Sequence, residues 1–283
     1  MVNPPGSRAI LDRRVQEFAD QRNLSAGELR VTIGQLVVAQ LLPGGLVKGG
    51  AGLRFRLGHL RSRASSDLDI AWREDHKEFA AAFAANLQAG WGPFDGRLLS
   101  NPLRPIEGIP AAYAMRPYDA KLSCYNKPFG TVTIEVGYDE LDATGDGSST
   151  SELAVDVLEL FSYCGLPEPA PVPLIALHHQ IAQKLHALTE PGSERAHDLV
   201  DLQLLWSSLS RASGKALAET VQRLFAFRAA HQLSPILDAG ANWETLYLEA
   251  AAGLEVAQEL SAAIAWLNER LSELGDVDTS DAG

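Results

Sequence analysis

Two aspartates at positions i and i+2 stand in the stretch SSDLDIAW and are the residues best suited to do chemistry. The stretch alternates polar and apolar residues, which predicts a short half-buried strand. Alternate residues of a strand point to one face, so Asp67 and Asp69 should project together, opposite Leu68 and Ile70. Two carboxylates held side by side repel each other, and a divalent cation relieves that repulsion. The spacing therefore predicts a Mg²⁺ site, because Mg²⁺ takes carboxylate oxygens together with substrate phosphates.

A third carboxylate is expected from another strand, TVTIEVGY, at residues 131–138. Glu135 shares one face of this strand with Thr133, while Val132 and Ile134 face the other way. Three acids on two neighbouring strands could hold two ions, the arrangement that supports in-line displacement at phosphorus. Glu135 is therefore a candidate third metal ligand.

Adjacent glycines precede the aspartates in the stretch LVKGGAGLR. A glycine inside a helix costs about 1 kcal/mol relative to alanine, so Gly49 and Gly50 require an explanation. Residues without side chains let backbone N–H groups approach and bind phosphate oxygens. We therefore predict that the glycines hold a triphosphate beside the metal. The alternative is that Gly-Gly forms an ordinary turn and Asp-x-Asp a solvated strand end.

The segment between the two motifs, RFRLGHLRSR, is a basic loop in this interpretation. Its position beside two carboxylates favours an anion-binding surface over an ordinary solvated loop. The basic and titratable residues of the loop are Arg54, Arg56, His59, Arg61 and Arg63.

The composition is that of a soluble globular protein with a real core. The 283 residues are 46% hydrophobic and 21% charged, and the net charge of −12 argues against a generally basic nucleic-acid binder. The N-terminus lacks the pattern of a signal peptide, and no apolar run approaches the roughly 20 residues of a membrane helix. The two cysteines match no metal or redox spacing. We expect a cytoplasmic protein with no membrane contact.

The pattern along the chain predicts an α+β fold, with mixed structure first and helices afterwards. Ser25 and Glu28 form a capping box at the start of one helix, and Asp75 is positioned to cap another. Asn126 to Gly130 should turn the chain between strands at 112–125 and 131–138. Other predicted helices cover about residues 8–21 and much of the chain after residue 174, where the last, ETLYLEAAAGLEVAQELSAAIAWLNERLSEL, runs from residue 244 to 274.

The proline-rich stretch PEPAPVP, at residues 167–173, is the best candidate for a domain boundary, because closely spaced prolines resist both helix and sheet. We predict a first domain at residues 1–166 that carries the acids. A helical domain should follow at residues 167–274, and the polar, acidic residues 275–283 should form a disordered tail.

The stretch KGGAGLRFRLGHLRSRASSDLDI resembles the G-G-[ST]…S-x-D-x-D signature of the polymerase-β-like nucleotidyltransferases. Within that superfamily the chain is most similar to the AbiEii-type toxins, which include the MenT proteins. Their further pattern is matched by IAQKLHAL, with Lys184, and by RAHDLVDL, with Arg195, Asp198 and Asp201. The resemblance implies a small mixed sheet of this type with flanking helices. It also implies a following α-helical domain that completes the active-site cleft.

The resemblance also implies roles for individual residues. Asp67 and Asp69 would hold Mg²⁺ (or Mn²⁺), and Lys184 would contact the phosphates with support from Asp198. These four are the candidate catalytic residues, with Glu135 as a further metal ligand. The residues expected to bind the nucleotide are Lys48, Gly49, Gly50, Ser65 and Arg195. The alternative for Lys184 and Asp198 is a solvated surface salt bridge, which is frequent and worth about 0–1 kcal/mol.

The function implied is that of a Mg²⁺-dependent nucleotidyltransferase toxin of a toxin–antitoxin pair. The enzyme would transfer a nucleoside monophosphate from an NTP to RNA, at the 3′ end of tRNA, and so block translation. A cognate antitoxin would be its partner.

Other functions stay open from the residues alone. A small-molecule nucleotidyltransferase, such as one that modifies an aminoglycoside, needs the same core, and the net charge of −12 suits a cationic acceptor. A non-catalytic binding partner is a third class, against which the intact acids argue. A zinc site is disfavoured, because His197 and Asp201 share a helix face without any cysteine or H-E-x-x-H motif beside them.

Overall fold

The computed structural model describes residues 2–102, 114–145, 153–234 and 237–276. Contacts divide the chain into two compact units, Met1–His59 with Ala64–Ile175, and Leu60–Arg63 with Ala176–Gly283. The first unit contains a mixed sheet with flanking helices and the second is helical, so the predicted α+β class is confirmed. The predicted boundary after residue 166 stays a prediction.

Five strands form one sheet within the described residues of the first unit, in the order β1-β2-β5-β4-β3. The β2–β5 pair is parallel and the other neighbouring pairs are antiparallel. The strands are β1 (Leu46–Lys48), β2 (Asp67–Trp72), β3 (Phe94–Ser100), β4 (Arg116–Cys124) and β5 (Lys127–Tyr138).

Helices of the first unit begin where the sequence provides caps. The Ser25 hydroxyl accepts from the backbone N–H of Glu28 at 3.3 Å, and the Asp75 carboxylate accepts from that of Lys77 at 2.6 Å, which confirms both predicted caps. The helices are α1 (Arg8–Arg22), α2 (Ala26–Leu41), α3 (Gly49–Leu57), α4 (His76–Ala89) and α5 (Val155–Cys164), with a short 3₁₀ turn at Glu140–Asp142.

The second unit is built from α6 (Leu177–Thr189), α7 (Ala196–Trp206), α8 (Arg211–Arg228), α9 (Trp243–Ala251) and α10 (Leu260–Asp276). The single helix predicted over residues 244–274 is wrong, because Gly253 adopts a φ of 74° and separates α9 from α10. The first two residues of the predicted tail belong to α10, and residues 277–283 lie outside the described chain. No helix in the described ranges combines the length and the apolar character needed to cross a membrane.

One face of the sheet is apolar and packs under α2 and α4. A Cβ atom added to Gly34 of α2 would lie 3.2 Å from a methyl group of Val132, so the helix lies very close to β5. Leu68, Ile70 and Ile134 are fully buried on this face. The opposite face carries the polar residues of β2 and β5, as their alternation predicts.

Two local features differ from the prediction. The turn between β4 and β5 consists of Tyr125 and Asn126, which have φ values of 51° and 59°, and not of residues 126–130. Two consecutive residues with positive φ fit the twist of a tight hairpin, so β5 starts at Lys127. β3 was not predicted, because its residues FDGRLLS contain a glycine and no regular alternation.

A buried cluster fixes the turn that follows α3. The backbone N–H of His59 donates to the Asp156 carboxylate at 2.7 Å, and Nδ1 of His59 lies 3.4 Å from the Arg54 guanidinium. Burial lowers the pKa of His59 to about 4 from 6.5; the charge of Arg54 adds to the effect and that of Asp156 opposes it. The folded protein therefore holds this imidazole neutral at neutral pH.

We expect the free energy of unfolding to depend on His59 between pH 6.5 and about 4. The unfolded chain takes up a proton there and the folded chain does not, so stability is lost as the pH falls. The contribution is about 3 kcal/mol. His59→Asn keeps an acceptor for Arg54 but cannot take up the proton. Urea unfolding of both proteins across this range should show a smaller loss for the variant; equal losses would contradict the assignment.

Candidate functional site

Three charged residues lie in one row across the sheet. Lys48 of β1 pairs with Asp69 of β2, and Asp69 pairs with Glu135 of β5. Paired residues on adjacent strands face the same side and lie about 5 Å apart. All three side chains are half-buried. The sheet thus brings together the predicted acids of two strands and adds an ammonium group beside them.

Asp67 stands two residues before Asp69, on the same face, and is exposed. Its register partner is Thr133, whose hydroxyl donates to the Asp119 carboxylate of β4 at 3.3 Å. Asp119 was not among the predicted site residues, because its position beside Thr133 depends on the β4–β5 register. With Asp95 of β3, which lies on the same side, the polar face carries five carboxylates among the described residues, and Asp67 is the most open of them to solvent.

Gly49 begins α3 immediately beside the acid row. Its φ is 64°, and a Cβ atom on it would overlap the carboxylate of Asp69, so no larger residue fits. The glycines therefore do not interrupt a helix but start one, and residues 54–57 of the predicted basic loop are helical. Ala51, Leu53 and Phe55 are fully buried and hold this helix in place. The backbone N–H groups in the first turn of a helix form a favourable binding site for an anion.

Lys48 reaches across β2 towards β5. A Cβ atom added to Gly137 of β5 would lie 3.4 Å from the Lys48 ammonium nitrogen. Gly137 lies two residues after Glu135 and on the same face. Because glycine has no side chain, Gly137 leaves space for the Lys48 ammonium group beside the acids.

A buried glutamine holds the start of β2. The Gln35 side-chain amide of α2 donates to the backbone oxygens of Ser65, at 3.0 Å, and Asp67, at 3.2 Å. Gln35 is fully buried, and its Oε1 has no hydrogen-bond partner. The amide thus fixes the backbone that carries Ser65 and Asp67. Gln35 was not among the predicted site residues, although a glutamine inside the apolar run TIGQLVVA is a usable signal.

The basic loop is not the open anion-binding surface that was predicted, because three of its arginines are engaged elsewhere. Arg54 is buried and lies 3.5 Å from the Glu28 carboxylate. Arg56 donates to the backbone oxygen of Ile175 at 2.6 Å. Arg63, counted with the second unit, binds Asp201 through two hydrogen bonds of 2.9 and 2.8 Å.

The second unit contains a separate buried cluster around Lys184. The Lys184 ammonium donates to Asp198 at 2.7 Å and to Asp201 at 2.6 Å, and both carboxylates are fully buried. Arg195 donates to the other oxygen of Asp198 at 2.6 Å. The predicted contact between Lys184 and Asp198 is therefore present, and it is a buried ion pair and not a solvated one.

The ion pairs keep both Lys184 and Asp198 charged. Burial alone would lower the pKa of Lys184, but the carboxylates of Asp201 and Asp198 outweigh it and raise that pKa. Burial alone would raise the pKa of Asp198, but Lys184 and then Arg195 hold it well below its usual range. Lys184 is thus a fixed cation at neutral pH, already bound by two carboxylates.

The acids of the sheet suit Mg²⁺ better than zinc. Asp67 and Asp69 supply hard oxygen donors, and Mg²⁺ is usually bound by one or two carboxylates together with water and substrate phosphates. Among the residues described, no three or more His, Cys, Asp or Glu side chains are gathered closely enough to hold an ion by themselves. The donors therefore fit an ion that arrives with a phosphate ligand, and the zinc alternative at His197 and Asp201 lacks a ligand set.

The sequence matches the family of nucleotidyl transferase AbiEii toxins of type IV toxin–antitoxin systems over residues 35–270. This range includes every acid of the sheet and the Lys184 cluster. The chain therefore belongs to the AbiEii nucleotidyltransferase toxin family, and the resemblance seen in the sequence is confirmed. No curated protein matches the chain in sequence.

The chain is similar to solved structures. MenT4, a nucleotidyltransferase toxin from Mycobacterium tuberculosis H37Rv, aligns with a TM-score of 0.55 at 17% identity, covering 96% of this chain and 98% of its own. An antigenic nucleotidyltransferase-like protein from Paracoccidioides brasiliensis aligns with a TM-score of 0.40 at 18% identity, covering 72% and 94%. The first likeness supports the fold described above.

Gln35→Met should weaken the metal site without unfolding the protein. The variant removes both hydrogen bonds to the start of β2, and losses of such outer contacts typically cost about 10- to 100-fold in metal affinity or activity. Mn²⁺ binding by electron paramagnetic resonance and Mg²⁺ titration of nucleotide transfer measure the effect. Gln40→Met is the matched control, because Gln40 holds Ala170 from the same helix by two similar bonds. Equal effects of the two substitutions would contradict a positioning role for Gln35.

Lys184→Met should destabilise the protein by about 3–5 kcal/mol, because it leaves two buried carboxylates without their shared cation. Urea unfolding measures this loss. Lys77→Met is the control, because the Lys77 side chain is exposed on α4, and it should change the free energy of unfolding by less than about 1 kcal/mol. Adding Asp198→Asn to Lys184→Met should restore part of the stability. No recovery would mean that the charge of Asp198 is not what Lys184 compensates.

Proposed function

We propose that this nucleotidyltransferase toxin transfers a nucleoside monophosphate from a Mg²⁺-bound NTP to RNA, at the 3′ end of tRNA, and thereby blocks translation. Membership of the family gives the enzyme class, the NTP substrate and an antitoxin as partner. The metal dependence, the acceptor and the effect on translation are the proposal.

The observation that carries the proposal is the row formed by Lys48, Asp69 and Glu135 beside the start of α3. Acids alone would suit many cations. Acids next to an ammonium group and a glycine-initiated helix N-terminus suit a cation that arrives with phosphates.

The residues of the first unit then divide into three roles. Asp67 and Asp69 would hold the ion, with Glu135 as the third acid, and the ion would supply positive charge to neutralise charge that develops on the phosphates. Lys48 contacts the phosphates as a point charge, and the N–H groups of Gly49 and Gly50 bind their oxygens. The Ser65 hydroxyl donates one hydrogen bond to a phosphate oxygen.

In the proposed reaction, a hydroxyl group of the acceptor loses its proton to solvent, and its oxygen forms a bond to the α-phosphorus. The bond from the α-phosphorus to the oxygen that bridges to the β-phosphate breaks. Pyrophosphate leaves. Catalysis rests on positioning and charge neutralisation. The roles of Lys184, Asp198 and Arg195 in use of the NTP are proposed on the family resemblance alone.

The net charge of −12 favours a second candidate, transfer to a small cationic acceptor such as an aminoglycoside. An acidic protein attracts a polycation and repels RNA at long range. The two candidates differ in which acceptor carries the label after reaction. A purely binding function is disfavoured, because it would not need two carboxylates on one face of a strand beside a helix N-terminus.

Purified enzyme, incubated with Mg²⁺ and each α-³²P-labelled NTP in turn, should label total tRNA and not a mixture of aminoglycosides. Asp67→Asn and Asp69→Asn should each reduce labelling by about 100-fold or more, because each removes a metal ligand while keeping the shape of the side chain. Asp20→Asn, at an exposed position of α1, is the matched control and should leave labelling near the wild-type level. Labelling by a folded Asp67→Asn variant at the wild-type rate would remove Asp67 from the metal site, and label in the aminoglycosides would favour the second candidate.

A further inference from the structure

Two cations face each other across β3 and β4. Arg97 of β3 and Lys121 of β4 are direct partners in the antiparallel ladder, and both are exposed. Like charges placed directly opposite destabilise a pair of strands. The Arg97–Lys121 pair therefore lowers the stability of the sheet.

Nothing in the described part of the chain relieves this repulsion by an ion pair with either side chain. The nearest acids along the strands on this face are Asp95 and Asp119, each two residues from one of the cations. Asp119 accepts a hydrogen bond from Thr133. The pair is thus a local positive site on a face that is not basic as a whole.

The two cations line a cavity and do not lie on a flat surface. They line a cavity of about 670 Å³ together with the hydroxyl-bearing residues Ser123 and Thr131, with the acid Asp95, and with Arg8 of α1, which lies 3.3 Å from the Asp12 carboxylate. Hydroxyl groups and exposed cations are the donors that proteins use for phosphate oxygens.

The register fixes the distance between this pair and the metal-binding acids. Lys121 pairs with Thr131, one row along the polar face from the row of Asp119, Thr133 and Asp67. With about 4.8 Å between strands and about 7 Å between rows, the Cα atom of Lys121 lies about 12 Å from that of Asp67, and that of Arg97 about 16 Å. At about 3.4 Å per stacked nucleotide, these distances span four or five nucleotides.

We propose that the Arg97–Lys121 pair binds the phosphate backbone of an RNA acceptor, about four nucleotides before the end that reacts. The proposal rests on the proposed function and deepens it by naming the surface that holds the RNA acceptor. A paired positive site repels a small polycation but attracts a phosphate chain. In a chain of net charge −12, attraction for RNA must come from such local sites.

The test measures binding of a fluorescein-labelled single-stranded RNA of about 12 nucleotides, without NTP, by fluorescence anisotropy. Arg97→Gln, Lys121→Gln and the double variant are compared with the wild-type protein between about 50 and about 200 mM KCl. The matched control is Lys77→Gln, which removes an exposed cation from α4. That helix packs on the opposite face of the sheet, where Leu87 lies against Gly96.

Each lost phosphate contact should lower the slope of log affinity against log salt by about 0.7, so the advantage of the wild-type protein over a single variant should shrink about 2.6-fold across this range. The double variant should show about a sevenfold change, and the control none. Melting temperatures of the variants should equal or exceed that of the wild type, because a repulsion is removed.

An unchanged slope in the double variant, an equal change in Lys77→Gln, or no RNA binding by the wild-type protein would overturn the proposal. The measurement is independent of catalysis. A protein that binds RNA through this pair but labels no RNA would contradict the proposed function alone. One that labels tRNA while the double variant binds as the wild type does would contradict only this inference.

Discussion

The parallel pairing of β2 with β5 is the constraint on which the site depends, because it aligns Asp69 with Glu135 and Asp67 with Thr133. A slip of one residue would turn every side chain of a strand to the opposite face. Burial of Leu68, Ile70 and Ile134 on the other face prevents that slip, since the slip would expose them and bury the acids. The hydrophobic core thus determines where the charges of the polar face lie.

Carboxylates occur in this protein in two contrasting environments. Asp67 is exposed and Asp69 is half-buried on the sheet. Asp198 and Asp201 are fully buried and bound by Lys184, Arg195 and Arg63. Removing one partner from such a buried network is costly, whereas an acid in contact with water keeps its solvation when a neighbouring charge is removed. A substitution that abolishes activity therefore indicates a role in binding when it is made at the acids of the sheet, but a loss of stability when it is made in the Lys184 cluster.

Much of the fold followed from local patterns in the sequence. Strict alternation identified β2 and β5, and the side chains of Ser25 and Asp75 located two helix starts, because these signals act over a few residues. The family resemblance predicted that Asp198 supports Lys184, and in the structure their side chains are in contact. β3 escaped prediction because FDGRLLS has no alternation, and Gly253 was overlooked as a helix break because the residues around it favour helix.

The sequence by itself determined which residues carry charge, which face of each strand they occupy and which family motifs they form. Only the tertiary structure decided their neighbours: Lys48 beside Asp69, Gln35 beneath Ser65 and Asp67, and Arg97 opposite Lys121. Each of these contacts joins residues far apart along the chain, or depends on a strand register set by the buried face. Periodicity fixes the direction of a side chain relative to its own strand, but packing of the whole core selects which strand lies next to it.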